Sequence, residues 1–176
     1  MENPWQNPAV IVQTQLIARS LKHWTGRTLL PGAGVQASAG SPDKLKLELQ
    51  RGAPFAEKVF QAPFVLVSHG TEADPVLNYG NAAALALWEM AWAEFTRTPS
   101  RLTAEAPNRE ERARLLAAVA ANCFIDDYSG IRISKNGRRF RIAQATVWNL
   151  LDERGNFAGQ AAMFSRWEFI PPRLRS

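Results

Sequence analysis

The sequence predicts an α+β domain: one antiparallel sheet of five strands with helices on one face, plus an N-terminal amphipathic helix. Three observations carry this. Two short strand-like runs, residues 64–70 and 76–79, lead directly into an apolar helix over 82–95. A second helical stretch follows. The chain then closes on two long strand-like runs, 139–151 and 157–169, joined by the turn Asp152-Glu153-Arg154-Gly155-Asn156.

Taken in order, residues 9–24 place Val10, Ile17, Leu21 and Trp24 on one stripe and Gln13, Gln15, Arg19 and Lys22 mostly elsewhere, the pattern of an amphipathic helix. Pro8 at its start and Gly26 beyond its end fit the asymmetry of helix termini. Residues 30–42 are rich in Gly, Ala, Ser and Pro and read as a flexible connection. Residues 44–60 leave two readings open, because Leu45, Leu47 and Leu49 alternate like a strand while Gly52-Ala53-Pro54 forces a new start.

The core then begins. Residues 64–68 and 76–79 form the first two strands, around a polar turn at 71–74 whose Pro75 restricts the residue before it. Asn81 caps the next helix, since its side-chain carbonyl can accept from the free amides of the first turn. Leu85, Trp88, Met90 and Trp92 give that helix a bulky apolar surface. Asn108 starts the second helix, with Glu110 and Glu111 in its first turn and Leu115, Leu116 and Val119 as its buried side. Asn136-Gly137, between 131–135 and 139–151, is a two-residue hairpin signal because both positions tolerate positive φ.

A chain of 176 residues with 46% hydrophobic content suits one domain with a sizeable core. Its organisation reads as 1–54, a helix and flexible connection, 55–170, the domain proper, and 171–176, a tail. Neither a membrane span nor a signal peptide is visible, which predicts a soluble cytoplasmic protein. The lone Cys123 excludes an internal disulfide and a cysteine metal cluster, in keeping with a reducing compartment. A net charge of +5 invites a nucleic-acid reading. The clustering is thin, however: Arg132, Lys135, Arg138, Arg139 and Arg141 gather at one hairpin and Arg173 and Arg175 end the chain, so a solvated surface is expected instead.

Several segments resemble the MEKHLA domain, itself similar to PAS sensor domains. They are Ser68-His69-Gly70-Thr71 with Asn78-Tyr79-Gly80-Asn81, Pro99-Ser100-Arg101, Gly130-Ile131-Arg132-Ile133-Ser134, and Ala162-Met163-Phe164-Ser165-Arg166-Trp167-Glu168-Phe169. The resemblance covers residues 55–170 and implies a PAS-like sheet that curves over its helices, with any ligand lying between them. Such domains are similar to the C-terminal region of plant class III homeodomain leucine-zipper factors and also occur alone in bacteria. With no homeodomain or long zipper in this chain, the DNA-binding role of those factors does not carry over.

Catalytic signals are weak. His23 and His69 are too few for a histidine-based metal site unless carboxylates complete it. Ser68 or Ser165, His69 and Asp126 or Asp127 could be assembled into a triad on paper, but no nucleophile elbow accompanies them. Asp126-Asp127 and Asp152-Glu153 read as solvated turn residues. Asn122-Cys123-Phe124 resembles the photoactive cysteine motif of flavin-binding LOV domains, but it lies at the end of a helix leading straight into the strands, so Cys123 reads as a buried, inert thiol.

A pocket remains. Period-two alternation puts Ala161, Met163, Ser165 and Trp167 on one face of the last strand. Either Gln144, Thr146 and Trp148, or Ala143, Ala145, Val147 and Asn149, share the matching face of its neighbour. A filled core and a ligand cavity are both compatible with this wall. If a ligand is held, the candidates are His69, Asn81, Trp88, Thr146, Trp148, Ala161, Met163, Ser165 and Trp167. No cofactor is named by the sequence. The implied function is a non-catalytic sensory or regulatory module recognising a small molecule and/or mediating protein association, with a ligand-free dimerisation module and a small-substrate enzyme as alternatives. Val10, Ile17, Leu21 and Trp24 are the expected seam of a homodimer.

Overall fold

The computed structural model describes residues 3–31 and 42–171. The connection at 32–41, the side chains of Leu45 and Leu47, and most of the expected tail lie outside the described residues.

The first long helix, α1 (Pro8–Thr25), begins where Asn7 accepts a hydrogen bond from the Ala9 amide at 2.9 Å and ends at Gly26 in the left-handed region. The ambiguous stretch is helical, α2 (Pro42–Phe60), and runs through Gly52 and Pro54 without a break. Gly52 serves close packing here: a Cβ at this position would stand 2.6 Å from the Ile11 methyl of α1. Tertiary packing of the two helices therefore overrides a local breaker signal.

Strands β1 (Val65–His69) and β2 (Leu77–Gly80) follow as expected. The predicted helix over 82–95 is split into α3 (Ala82–Trp88) and α4 (Trp92–Phe95), because Glu89 adopts φ 58° and ends the first piece. Ser134 donates a hydrogen bond to the Glu89 carboxylate, and the Lys135 amide donates to the Trp88 carbonyl at 3.1 Å. These long-range bonds stabilise a turn that no local residue announces. A 3₁₀ turn (Ser100–Thr103) precedes α5 (Ala106–Asn122), which starts after Glu105 without a side-chain cap bond, leaving Asn108 inside the first turn.

Strand β3 (Phe124–Ile133) is twice its expected length and absorbs Asp126-Asp127 into a bulge where Asp127 has φ 59°. Between it and β4 (Arg139–Leu151), only Gly137 takes positive φ, and the loop is longer than the two residues expected. The final run is divided into β5 (Phe157–Phe164) and β6 (Arg166–Phe169). Strand order is β2-β1-β5-β4-β3, all antiparallel, with β6 pairing β4.

Both faces of this sheet are buried. Leu66, Trp148, Leu150 and Ala161 pack with Ile17 and Leu21 of α1 and Val59 of α2, whereas Val65, Ala145, Ile142 and Phe164 pack with Ala84, Leu87, Trp88 and Phe95 of α3 and α4. The amphipathic stripe is thus consumed within the chain: Ile17 and Leu21 are fully buried and Val10 nearly so, while the Trp24 indole donates to the Asn149 carbonyl at 2.8 Å. This corrects the expected dimer seam. The sheet supplies the apolar cover that a second chain was expected to provide, so any association of copies must use another surface.

Candidate functional site

A cavity of about 60 Å³ lies between the sheet and the α3–α5 face. Val67 and His69 of β1, Gln160, Ala162 and Phe164 of β5, and Ile142 and Val147 of β4 form its floor. Trp88, Phe95 and Thr103 close one side, and Arg112, Leu115 and Leu116 of α5 form the roof, with Tyr128 and Arg132 of β3 at the far wall. The lining is largely apolar with a few polar groups, the usual make-up of a small-molecule site.

Of the predicted candidates, His69, Trp88 and Ala161 line this cavity, and Ala161 also packs in the cluster beneath α1. The other six do not. Asn81 is fully buried, and its amide serves the backbone: Oδ1 accepts from the Leu66 and Ala84 amides at 3.0 and 3.2 Å, and Nδ2 donates to the Phe64 carbonyl at 2.7 Å. The capping role holds, and it ties α3 to β1 as well. Trp148 faces α1, donating from Nε1 to the Ile17 carbonyl at 3.3 Å. Thr146 donates to Asp126 at 2.7 Å, and Met163, paired across from it, packs on the α1 cluster. Ser165 is exposed, and Trp167 sits on the opposite side, 6.1 Å from Phe164 by ring centroids.

One local cause explains this scatter. Gln144 takes φ 54° opposite Ser165, between the Ala143–Arg166 and Thr146–Met163 pairs, so alternation changes phase on both strands at that point. Counting by twos from Ala161 to Trp167 therefore crosses from one face to the other.

Two functional groups escaped the sequence reading. Arg112 shares the i, i+3, i+4, i+7 face of α5 with Leu115, Leu116 and Val119, and a charge on that stripe was the available signal. Arg132, counted in the basic surface cluster, turns inward and is only 7% exposed. Its guanidinium donates to the Ile131 carbonyl at 2.8 Å and to the Tyr128 hydroxyl at 3.2 Å. Three other members of that cluster have acidic neighbours: Lys135 pairs with Glu94 at 2.6 Å, Arg139 with Glu105 at 2.8 Å, and Arg138 lies 3.9 Å from Glu89.

The site's electrostatics follow from burial. His69 Nδ1 lies 2.8 Å from the Gly70 carbonyl, which places a proton on Nδ1 and leaves Nε2 an acceptor. Gln160 is adjacent, but its amide hydrogens go to the Leu116 carbonyl and Asn149 Oδ1 at 2.9 and 3.1 Å. His69 Nε2 and Trp88 Nε1 are buried without hydrogen-bond partners among the described residues. Burial first, and the Arg112 charge after it, hold the His69 imidazole below its usual range against the Gly70 carbonyl. Burial, reinforced by Arg132, pushes the Arg112 guanidinium down to about 10. Gly159 beside the site has φ 118°, and a Cβ there would stand 2.1 Å from the His69 carbonyl oxygen, so only glycine lets β5 approach β1 this closely. Cys123 is half-buried at the end of α5 and does not line the cavity.

A pH dependence follows. Because folding lowers the His69 pKa below 6.5, the unfolded chain binds the extra proton and stability declines as pH falls below about 6.5. Denaturant titrations at pH 7.5 and 5.5 should show this loss, with a slope no steeper than about 1.4 kcal/mol per pH unit for one proton. His69→Gln should flatten it. The carboxyls of Asp126 and Asp152 are held below 3.8 and do not titrate in that window.

The antiparallel sheet, with helices packed against it, has a PAS-like fold. A model of the MEKHLA domain family matches residues 11–169, and the chain belongs to that family. Among solved structures it is similar to the PAS domain of a protein from Colwellia psychrerythraea, with a TM-score of 0.57 at 12% identity over 66% of this chain and 94% of that one. It also resembles an RNA-binding light-oxygen-voltage receptor, with a TM-score of 0.54 at 20% identity over 77% of this chain but 36% of that one. A light-oxygen-voltage domain studied with a flavin analogue aligns with a TM-score of 0.52 at 14% identity, over 67% and 85% of the two chains. No curated protein sequence matches significantly. Among the described residues, no helix is long and apolar enough to cross a membrane.

Proposed function

We propose that this chain is a non-catalytic sensory or regulatory module that recognises a small molecule in the cavity between the sheet and α3–α5. The observation that carries the reading is that two residues lining one cavity, His69 and Trp88, each keep a buried ring nitrogen, Nε2 and Nε1, without a hydrogen-bond partner among the described residues. Leaving such groups unsatisfied costs about 1–3 kcal/mol each, a cost that a ligand or water in the cavity would offset. Membership of a PAS-like family supports the sensory part.

The chemistry supports recognition over turnover. The His69 Nδ1 hydrogen bond goes to a backbone carbonyl rather than a carboxylate, so the ring is oriented but lacks the negative partner that stabilises an imidazolium in a triad. A cytoplasmic setting fits the single cysteine. The cavity volume corresponds to about four to six waters, which suits a ligand of a few heavy atoms and is far below the usual size of a cofactor site.

Ala162 lies on the central strand between Val67 and Val147 and is the position to fill. Ala162→Phe should retain the circular dichroism spectrum at a cost of about 1–3 kcal/mol. In a thermal-shift screen of small polar compounds, at least one should raise the melting temperature of the wild type and leave the variant unmoved. A compound set that shifts both proteins equally would remove the cavity as the site.

A further inference from the structure

Among the described residues, the cavity lining includes two arginines and no Asp or Glu. Arg112 projects from the apolar face of α5, half-buried, and makes no ion pair or hydrogen bond among the described residues. Arg132, almost fully buried, uses only two of its five N–H donors on Ile131 and Tyr128. The nearest acids are engaged elsewhere: Asp74 is gripped by Arg101 at 3.0 Å, and Glu72 accepts from the Val76 amide at 3.3 Å. Two like charges facing one apolar space without a counter-charge are unfavourable, and a bound anion is the direct way to relieve them.

We propose that this cavity takes a small organic carboxylate, its charged end held between Arg112 and Arg132 and its carbon chain lying along Leu115, Leu116 and Ala162. The inference rests on reading the cavity as a ligand site. A carboxylate suits it because its planar pair of oxygens matches the guanidinium fork, while the apolar lining favours a hydrocarbon remainder over a fully hydrated inorganic ion. His69, another lining residue, keeps Nε2 as an acceptor without a partner among the described residues, which suits a ligand that also carries a hydroxyl.

Isothermal titration of the full chain with sodium propionate and sodium lactate, against propionamide and lactamide, tests this. At least one carboxylate should bind saturably and at least about tenfold more tightly than its amide twin. Arg112→Leu should weaken that binding by about tenfold or more, while the melting temperature of the unliganded protein stays level or rises, because the lost side chain has no hydrogen-bond or ion-pair partner among the described residues. An amide that binds as well as its acid, or carboxylate binding that survives Arg112→Leu unchanged, overturns the proposal. Amide binding that disappears in Ala162→Phe would overturn the anion while leaving the ligand cavity in place. Absence of binding by all four compounds up to about 10 mM also overturns the carboxylate, and the cavity reading is then decided by the Ala162→Phe screen alone.

Discussion

Trp148→Ala is expected to destabilise the protein by about 3–5 kcal/mol, the largest effect of any single truncation considered for this chain. Trp148 is fully buried, pairs across the sheet with Phe124 and Ala161, and donates its indole N–H to the Ile17 carbonyl of α1. Removing it leaves a cavity at the junction of sheet and helix, where little can collapse to fill it. For a chain of this length, a loss of that size corresponds to a fall of roughly 10 °C in melting temperature. Limited proteolysis should show α1 becoming the first cleaved segment. A variant that kept its stability and proteolytic pattern yet lost a small ligand would restore Trp148 to the ligand wall.

Asn81→Ala should cost about 3 kcal/mol, more than the roughly 1 kcal/mol of an ordinary helix cap. Its side chain serves the start of α3 and the amide of Leu66 in β1, both buried, and the part-buried carbonyl of Phe64. Alanine strands those three backbone groups at once. Urea denaturation measures the loss directly. A variant with unchanged midpoint but abolished ligand binding would contradict the structural role.

The same residue shows how far local signals reach. An Asn directly before an apolar helical run is a cap by short-range chemistry, and that reading holds. Its bonds to Phe64 and Leu66, 17 and 15 residues back, depend on β1 lying beside the helix start, which no window around residue 81 contains. Likewise the helix over 82–95 has every local reason to continue. It stops at Glu89 because Ser134 and Lys135, more than 40 residues away, hold the turn.

Periodicity with local cap and turn signals determined the α+β class, the apolar stripe of α1, the buried side of α5 and the order of elements after residue 60 apart from the splits at Glu89 and Ser165, since these depend on residues within a few positions of one another. The family resemblance was also legible, in short segments that sit in or beside the strands. Tertiary structure decided which side of the sheet each residue faces. The phase of a strand is reset by backbone irregularities such as Gln144 at φ 54°, a conformation that no local pattern around that residue announces. It also decided that the α1 stripe closes its own core, and that Arg112 and Arg132, ordinary charges along the chain, face one cavity from different elements. Charge can be counted in a sequence. Whether that charge meets water, an acid or an empty space is settled only when distant segments pack.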